Sequence, residues 1–75
     1  MITVRLPEPL RAGRGEIVMM HATSLDDVIT RLGIAGERDE LYNFAINGEL
    51  IIHGEKSVIL RDDDEVEIVV AFSGG

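Results

Sequence analysis

One short amphipathic helix, at residues 24–33, is the sequence feature that most constrains the fold. Ser24 predicts an N-cap, Asp27 stands where a capping box places its acid, and Gly33 predicts a left-handed C-cap. Apolar residues at helical spacing form a single face: Leu25, Val28, Ile29 and Leu32. A helix of about nine residues is not stable alone, so this face must pack on a sheet.

The rest of the chain supplies the strands of that sheet. Strand patterns cover residues 2–6, 16–20, 42–46, 50–52 and 65–72. Asn47-Gly48 predicts a type I′ hairpin turn, since both positions need positive φ. Pro7 and Pro9 predict the end of the first strand. Residues 11–15 predict a turn, and residues 35–40 predict a polar linker.

This order of elements predicts an α+β fold of the β-grasp type, as in ubiquitin. A mixed four- to five-stranded sheet packs on one main helix, and the first and last strands lie side by side in its centre. We expect one domain at residues 1–72 and a flexible Gly-Gly tail at residues 73–75.

The C-terminus combines a half-buried strand with a thin end. Val66, Ile68, Val70 and Phe72 alternate with the other four residues of 65–72. Gly74 and Gly75 then close the chain without side chains. A strand that leads into such a thread can present its terminal carboxylate to the active site of another protein.

Composition excludes several classes of function. The net charge is −7, and nine acids face three bases in residues 38–75, which excludes nucleic acid as a partner. The chain contains no cysteine and no apolar run of membrane-span length, so we expect a cytoplasmic protein with no membrane partner. His21 and His53 are isolated, and residues 62–65 lack calcium-loop spacing, so no metal site is expected.

Three segments together resemble the MoaD/ThiS family of sulfur carriers. They are residues 44–49 (Phe-Ala-Ile-Asn-Gly-Glu), residues 60–66 (Leu-Arg-Asp-Asp-Asp-Glu-Val) and the Gly-Gly end. The family typically has a V-N-G hairpin, an L-x-D-G-D-E-V turn and a Gly-Gly end nine residues after that valine, which is the offset from Val66 to Gly75. The chain departs from the family at Asp63, where glycine is usual, and at Phe72-Ser73, which leaves the molybdopterin and thiamine branches undecided.

The resemblance implies a carrier cycle in which partners perform the catalysis and the chain has no catalytic residue. A ubiquitin-activating-like adenylyltransferase, using ATP, adenylates the Gly75 carboxylate; the chain itself binds no cofactor. A sulfur donor of the cysteine desulfurase or rhodanese type then converts it to a thiocarboxylate. A synthase large subunit or a thiazole synthase takes the sulfur. Gly74 and Ser73 form the tail, while Phe72, Ala71 and Val69 are expected to dock on partners.

Two other functions fit the same residues. A ubiquitin-like modifier would join its C-terminal glycine to lysines of other proteins, although Lys56 is the only lysine on which copies of this chain could be linked. A pure interaction domain would never have its tail activated. An enzyme in its own right is not favoured, since the sequence shows no nucleophile–base constellation and no phosphate-binding loop.

Overall fold

A computed structural model describes residues 1–11, 13–51 and 58–71, with the side chains of residues 37–39 excepted. These residues form five strands and two α-helices. They are β1 (Ile2–Arg5), α1 (Glu8–Arg11), β2 (Ile17–Met20), α2 (Leu25–Arg31), β3 (Tyr42–Ile46), β4 (Glu49–Leu50) and β5 (Glu65–Val70), with a 3-10 helix at Gly36–Leu41 between α2 and β3. None of these helices is long and apolar enough to cross a membrane.

The strands form one mixed sheet in the order β2-β1-β5-β3-β4. β1 and β5 run parallel at its centre, with Val4 opposite Val66. The other three pairings are antiparallel. The α+β class, the mixed sheet, the main helix and the central pairing of the first and last strands are therefore confirmed.

The core lies between one face of the sheet and α2. Val4, Val66 and Ile68 of the central strands are buried, as are Leu25 and Val28 of the helix. The remaining buried core side chains are Ile2, Leu6, Ile29, Leu32, Ile34, Phe44 and Leu60. Alternation along β1 and β5 therefore leaves their odd-numbered residues on the outer face of the sheet.

Ser24 caps the start of α2 and Gly33 follows its end, as the sequence predicts, but the capping box differs. The Ser24 side chain accepts a hydrogen bond from the Asp27 N–H at 3.1 Å. The Asp27 carboxylate accepts from the N–H of Thr23 rather than from that of Ser24, so the capping box is displaced by one residue. At the other end Gly33 has φ +74°, and the N–H of Ile34 donates to the Ile29 carbonyl in a Schellman motif.

Several boundaries differ from the sequence prediction. The segment after β1 was predicted as strand end and turn, but Glu8–Arg11 forms one helical turn. The predicted polar linker is instead the 3-10 helix Gly36–Leu41. The helix α2 has seven residues, and β4 covers Glu49–Leu50 rather than residues 50–52, of which Ile52 lies outside the described residues. The predicted tail boundary at residue 73 lies outside them as well.

Candidate functional site at the C-terminal end of the sheet

β5 is held on both sides at its start and on one side at its end. Its pairing with β1 covers Glu65 to Glu67, whereas its pairing with β3 continues to Val70. The N–H of Ala71 then donates to the Leu41 carbonyl at 2.8 Å. The chain is therefore fixed as far as Ala71, two residues before the predicted tail at residues 73–75.

The predicted site residues divide at this point. Phe72, Ser73, Gly74 and Gly75 lie outside the described residues, so the predicted tail and its hydrophobic anchor stay predictions. Val69 lies opposite Asn43 on the outer face of the sheet, and its side chain is 42% exposed. Ala71 is half-buried.

The apolar surface at this end is larger than the alternation of β5 predicts. Val70 shares a face with the buried Val66 and Ile68, yet it is 38% exposed. Leu41, whose carbonyl holds Ala71, is 58% exposed. Sequence analysis missed Leu41 because it precedes a predicted strand and belongs to no apolar period. An apolar side chain exposed beside a strand end is the kind of feature that partners bind.

A groove lies next to this end, between β5 and the segment that follows β1. Its volume is about 390 Å³, and residues 67–70 form one wall. Leu6 and Pro7 form the other wall, with Arg5, Arg11 and Glu16 at the rim. The Arg11 guanidinium lies 3.6 Å from Glu16, so charges of both signs stand at the rim.

The opposite end of β5 is closed by the acidic turn and the hairpin. The Asn47 side chain donates to Asp64 at 3.0 Å and accepts from the Glu65 N–H at 2.9 Å. Asn47 and Gly48 have φ values of +52° and +85°, as a type I′ turn requires. Two motifs that are separate in the sequence therefore form one hydrogen-bonded unit.

Contacts within the protein occupy most of the acidic run. The Asp64 carboxylate accepts from the Arg61 N–H, and this bond, followed by the one from Asn47, lowers the pKa of Asp64. The Asp62 carboxylate accepts a hydrogen bond from the α-ammonium group of Met1 at 2.8 Å, which lowers the pKa of Asp62. The structure therefore uses these acids to close the turn.

An ion pair crosses the outer face of the sheet between the two central strands. Arg5 Nε donates to Glu65 Oε2 at 2.9 Å, and this bond, followed by the negative charge of Glu65, raises the pKa of Arg5. Glu67, nearer the C-terminus, is exposed and forms no ion pair with the described residues. In the described part of the chain no three potential metal ligands come together.

A family model identifies the family to which the chain belongs. The ThiS family model matches residues 4–75, which is nearly the whole chain and includes the C-terminal glycines. The chain belongs to the ThiS family. The suspected membership in the wider MoaD/ThiS group is thus confirmed.

Solved structures agree with this ThiS-family assignment. CysO of Mycobacterium tuberculosis, described as an antigen, is 25% identical with a TM-score of 0.75, over 96% of this chain and 100% of that one. Small archaeal modifier protein 1 of Methanosarcina acetivorans is 26% identical with a TM-score of 0.74, over 99% of this chain and 95% of that one. The ubiquitin-like β-grasp fold is confirmed by these neighbours.

A third neighbour adds fold evidence. The match to a chain of the BexX/CysO complex of Amycolatopsis orientalis covers 100% of this chain and 100% of that one, with a TM-score of 0.73 and 24% identity. At that identity the likeness shows the fold alone. No curated protein sequence matches this ThiS-family chain closely enough to count as a relative.

Proposed function

We propose that this chain is a sulfur carrier whose Gly75 carboxylate is activated and converted to a thiocarboxylate. The observation that carries the proposal is the family match through residue 75, together with a central strand that leads towards that terminus. The fold would present the tail, and partner proteins would perform the catalysis.

The chemistry explains why a thin tail is needed. A carboxylate is a poor electrophile, so an adenylyltransferase would join it to the α-phosphorus of ATP and release pyrophosphate. The acyl adenylate is reactive and must form in a closed pocket that excludes water. A persulfide, supplied by a cysteine desulfurase or rhodanese type of donor, would displace AMP. A second thiol would then cleave the resulting acyl disulfide and leave the thiocarboxylate on Gly75.

The surface next to the tail would dock on these partners. Val69 and Leu41 are exposed apolar side chains near Ala71, which comes two residues before the predicted tail. Phe72 would act as the anchor that fixes how deeply the tail enters. Apolar anchors of this kind supply most of the binding energy in many interfaces.

The partners in this proposal are of three classes. They are a ubiquitin-activating-like adenylyltransferase, a sulfur donor, and a synthase that accepts the sulfur, either a molybdopterin synthase large subunit or a thiazole synthase. The solved BexX/CysO complex shows only that one protein of this fold has been found in a complex. ATP would be bound by the activating partner, and the cytoplasm would be the compartment.

A second function, protein modification, is favoured by one observation. The structural neighbour from Methanosarcina acetivorans is named a small archaeal modifier protein. Both functions would begin with adenylation of Gly75. They would differ in the group that accepts the Gly75 acyl group, which is a sulfur atom for the carrier and a lysine amine for the modifier.

An ATP–pyrophosphate exchange assay with the cognate adenylyltransferase tests the activation step. Deletion of Gly75 should abolish exchange and leave the unfolding temperature unchanged, since the tail lies beyond β5. A Gly74→Val variant should also lose exchange, because a branched side chain would not fit a channel of the adenylyltransferase that admits only glycine residues. Normal exchange by the truncated chain would refute the proposed role of Gly75.

A further inference from the structure

The C-terminal part of the central strand β5 has an edge that no other described strand pairs with. β1 pairs with β5 only as far as Arg5 opposite Glu67, although β5 continues to Val70. On its other side β5 remains paired with β3 through Val70 and tied to Leu41 through Ala71. Among the described residues, no strand therefore pairs with residues 68–70 on the β1 side.

The direction of the main-chain groups follows from the observed hydrogen bonds. The N–H of Ala71 donates to the Leu41 carbonyl, and the carbonyl of Glu65 accepts from the Asn47 N–H. The main-chain N–H and C=O groups of the odd-numbered residues of β5 therefore point towards β3. The Asp64 carbonyl accepts from the Thr3 N–H, so the main-chain groups of the even-numbered residues of β5 point towards β1. The Val70 N–H and the carbonyls of Ile68 and Val70 thus point into the open edge.

The chain's own segment after β1 cannot pair with this edge. The Leu6 N–H donates to the Glu16 carbonyl at 2.8 Å, and the Leu6 carbonyl accepts from Arg11 Nε at 3.2 Å. Pro7 has no N–H, and its carbonyl accepts from the Leu10 N–H at 3.0 Å. In the described part of the chain, the helical turn α1 therefore forms no strand pair with residues 68–70 of β5.

The groove described above lies over this edge and is open to solvent. Its wall includes residues 67–70, and Val70 is 38% exposed. Arg11 lies beside Glu16 and Arg5 beside Glu65, so the charges at the rim are largely balanced within the protein. Such a groove offers no strong attraction to an ion. Its distinguishing feature is a row of main-chain donors and acceptors at strand spacing.

We propose that this edge, residues 68–70, binds an extended segment of the protein that receives the C-terminal tail. The segment adds a strand beside β5, and its main chain pairs with Val70 and Ile68 over about 6–7 Å. Another main chain is the occupant that matches alternating N–H and C=O groups along a strand. The inference rests on the proposed function, since it takes the adenylyltransferase as the partner whose strand aligns the tail.

Replacement of Val70 tests the main-chain contact directly. Val70→Pro removes the N–H that faces the groove, while the bonds to β3 through Val69 and Ala71 remain. Val70→Thr is the matched control, because it keeps both the N–H and the β-branched shape. We expect Val70→Pro to bind the adenylyltransferase about three- to tenfold more weakly than Val70→Thr, the range for one main-chain hydrogen bond.

Amide hydrogen exchange of the unmodified protein gives a second readout that needs no variant. In the free protein the Val70 amide should exchange rapidly while the Val69 amide is protected by β3. In the complex the Val70 amide should become at least about tenfold slower. ATP–pyrophosphate exchange is measured on the same samples.

The outcomes separate this proposal from the proposed function. Protection of Val70 together with weaker binding of Val70→Pro supports the added strand. Active pyrophosphate exchange with an unprotected Val70 amide, or with equal affinities of the two variants, overturns it and leaves the carrier function standing. Absence of exchange with the wild-type chain overturns the carrier function, and this strand pairing falls with it.

Discussion

Asp63 tests how the acidic turn is built, because its backbone adopts a conformation that favours glycine. Its φ is +71°, in the left-handed region, and its N–H donates to the Met1 carbonyl at 3.0 Å. The ThiS-like turn usually has glycine here, and in this chain aspartate adopts a left-handed conformation that favours glycine. Its side chain forms no hydrogen bond or ion pair with the described residues.

The expected effect of substitution follows from two opposing terms. A left-handed backbone costs an ordinary L-residue about 1–2 kcal/mol. Glycine avoids this strain but loses about 0.5–1 kcal/mol more conformational freedom on folding. We therefore expect Asp63→Gly to be more stable than Asp63→Ala by up to about 1.5 kcal/mol, with a mid-range difference of about 0.75 kcal/mol. For a domain of this size the mid-range difference corresponds to roughly 3–6 °C in unfolding temperature.

Both substitutions remove the same negative charge, so their difference reports the backbone alone. Asp63→Asn serves as the control for charge, since asparagine tolerates the left-handed region and loses only the ionic part. Unfolding by urea and by heat, followed by circular dichroism, measures all three variants. If Asp63→Ala proved as stable as Asp63→Gly, the backbone argument for this turn would be wrong.

Three further predictions concern the core, the acid range and the partner. Ile68→Ala should lower the free energy of unfolding by about 2–5 kcal/mol, because Ile68 is buried between sheet and helix; urea unfolding with a loss below 1 kcal/mol would contradict this packing. The folded pKa values of Asp62 and Asp64 lie below the unfolded value of about 3.9, so their stabilisation is fully present above that pH and is lost as the pH falls through the folded values. Urea unfolding measured from pH 5 downwards should show that Asn47→Ala loses less stability on acidification than the wild-type chain does. An unchanged dependence of stability on pH would count against the Asn47 contact. Glu67→Gln should slow association with the adenylyltransferase at low salt more than neutralisation of the three turn aspartates does, since Glu67 is nearer the tail. Stopped-flow association rates that rank the other way would show that the turn takes part in docking.

Sequence patterns predicted the parts of the fold that rest on local rules. Ser24 and Gly33 mark the ends of α2 because side-chain capping and positive φ act within a few residues. Asn47-Gly48 predicted its hairpin for the same reason. Val66 and Ile68 revealed the buried face of β5 by simple alternation.

Short elements without a helical or strand period, and the register between strands, were not predictable from the sequence. The helix α1 has four residues, too few for a helical period, and the side chain of Arg11 ties its end back to the Leu6 carbonyl. The 3-10 helix Gly36–Leu41 has a polar sequence and packs against β3. The open edge at Val70 depends on where β1 stops relative to β5, which is a property of strand register.

The candidate site was predicted from the chain's end and from family motifs. Val69 is exposed near that end, whereas Leu41 and the groove beside Pro7 became visible only in the fold. The roles of Phe72 and Gly75 stay predictions. Their test is chemical, since the proposal assigns Gly75 a covalent change that no contact of the folded domain requires.

Intact-mass and fragment mass spectrometry of the protein isolated from its native host tests the carrier function most directly. The account predicts a C-terminal fragment heavier by the difference between one sulfur and one oxygen atom, with the added mass located at Gly75. Deletion of the adenylyltransferase should remove this form. A C-terminus that stays an unmodified carboxylate under all growth conditions, or one found only in amide linkage to lysines of other proteins, would contradict the sulfur carrier.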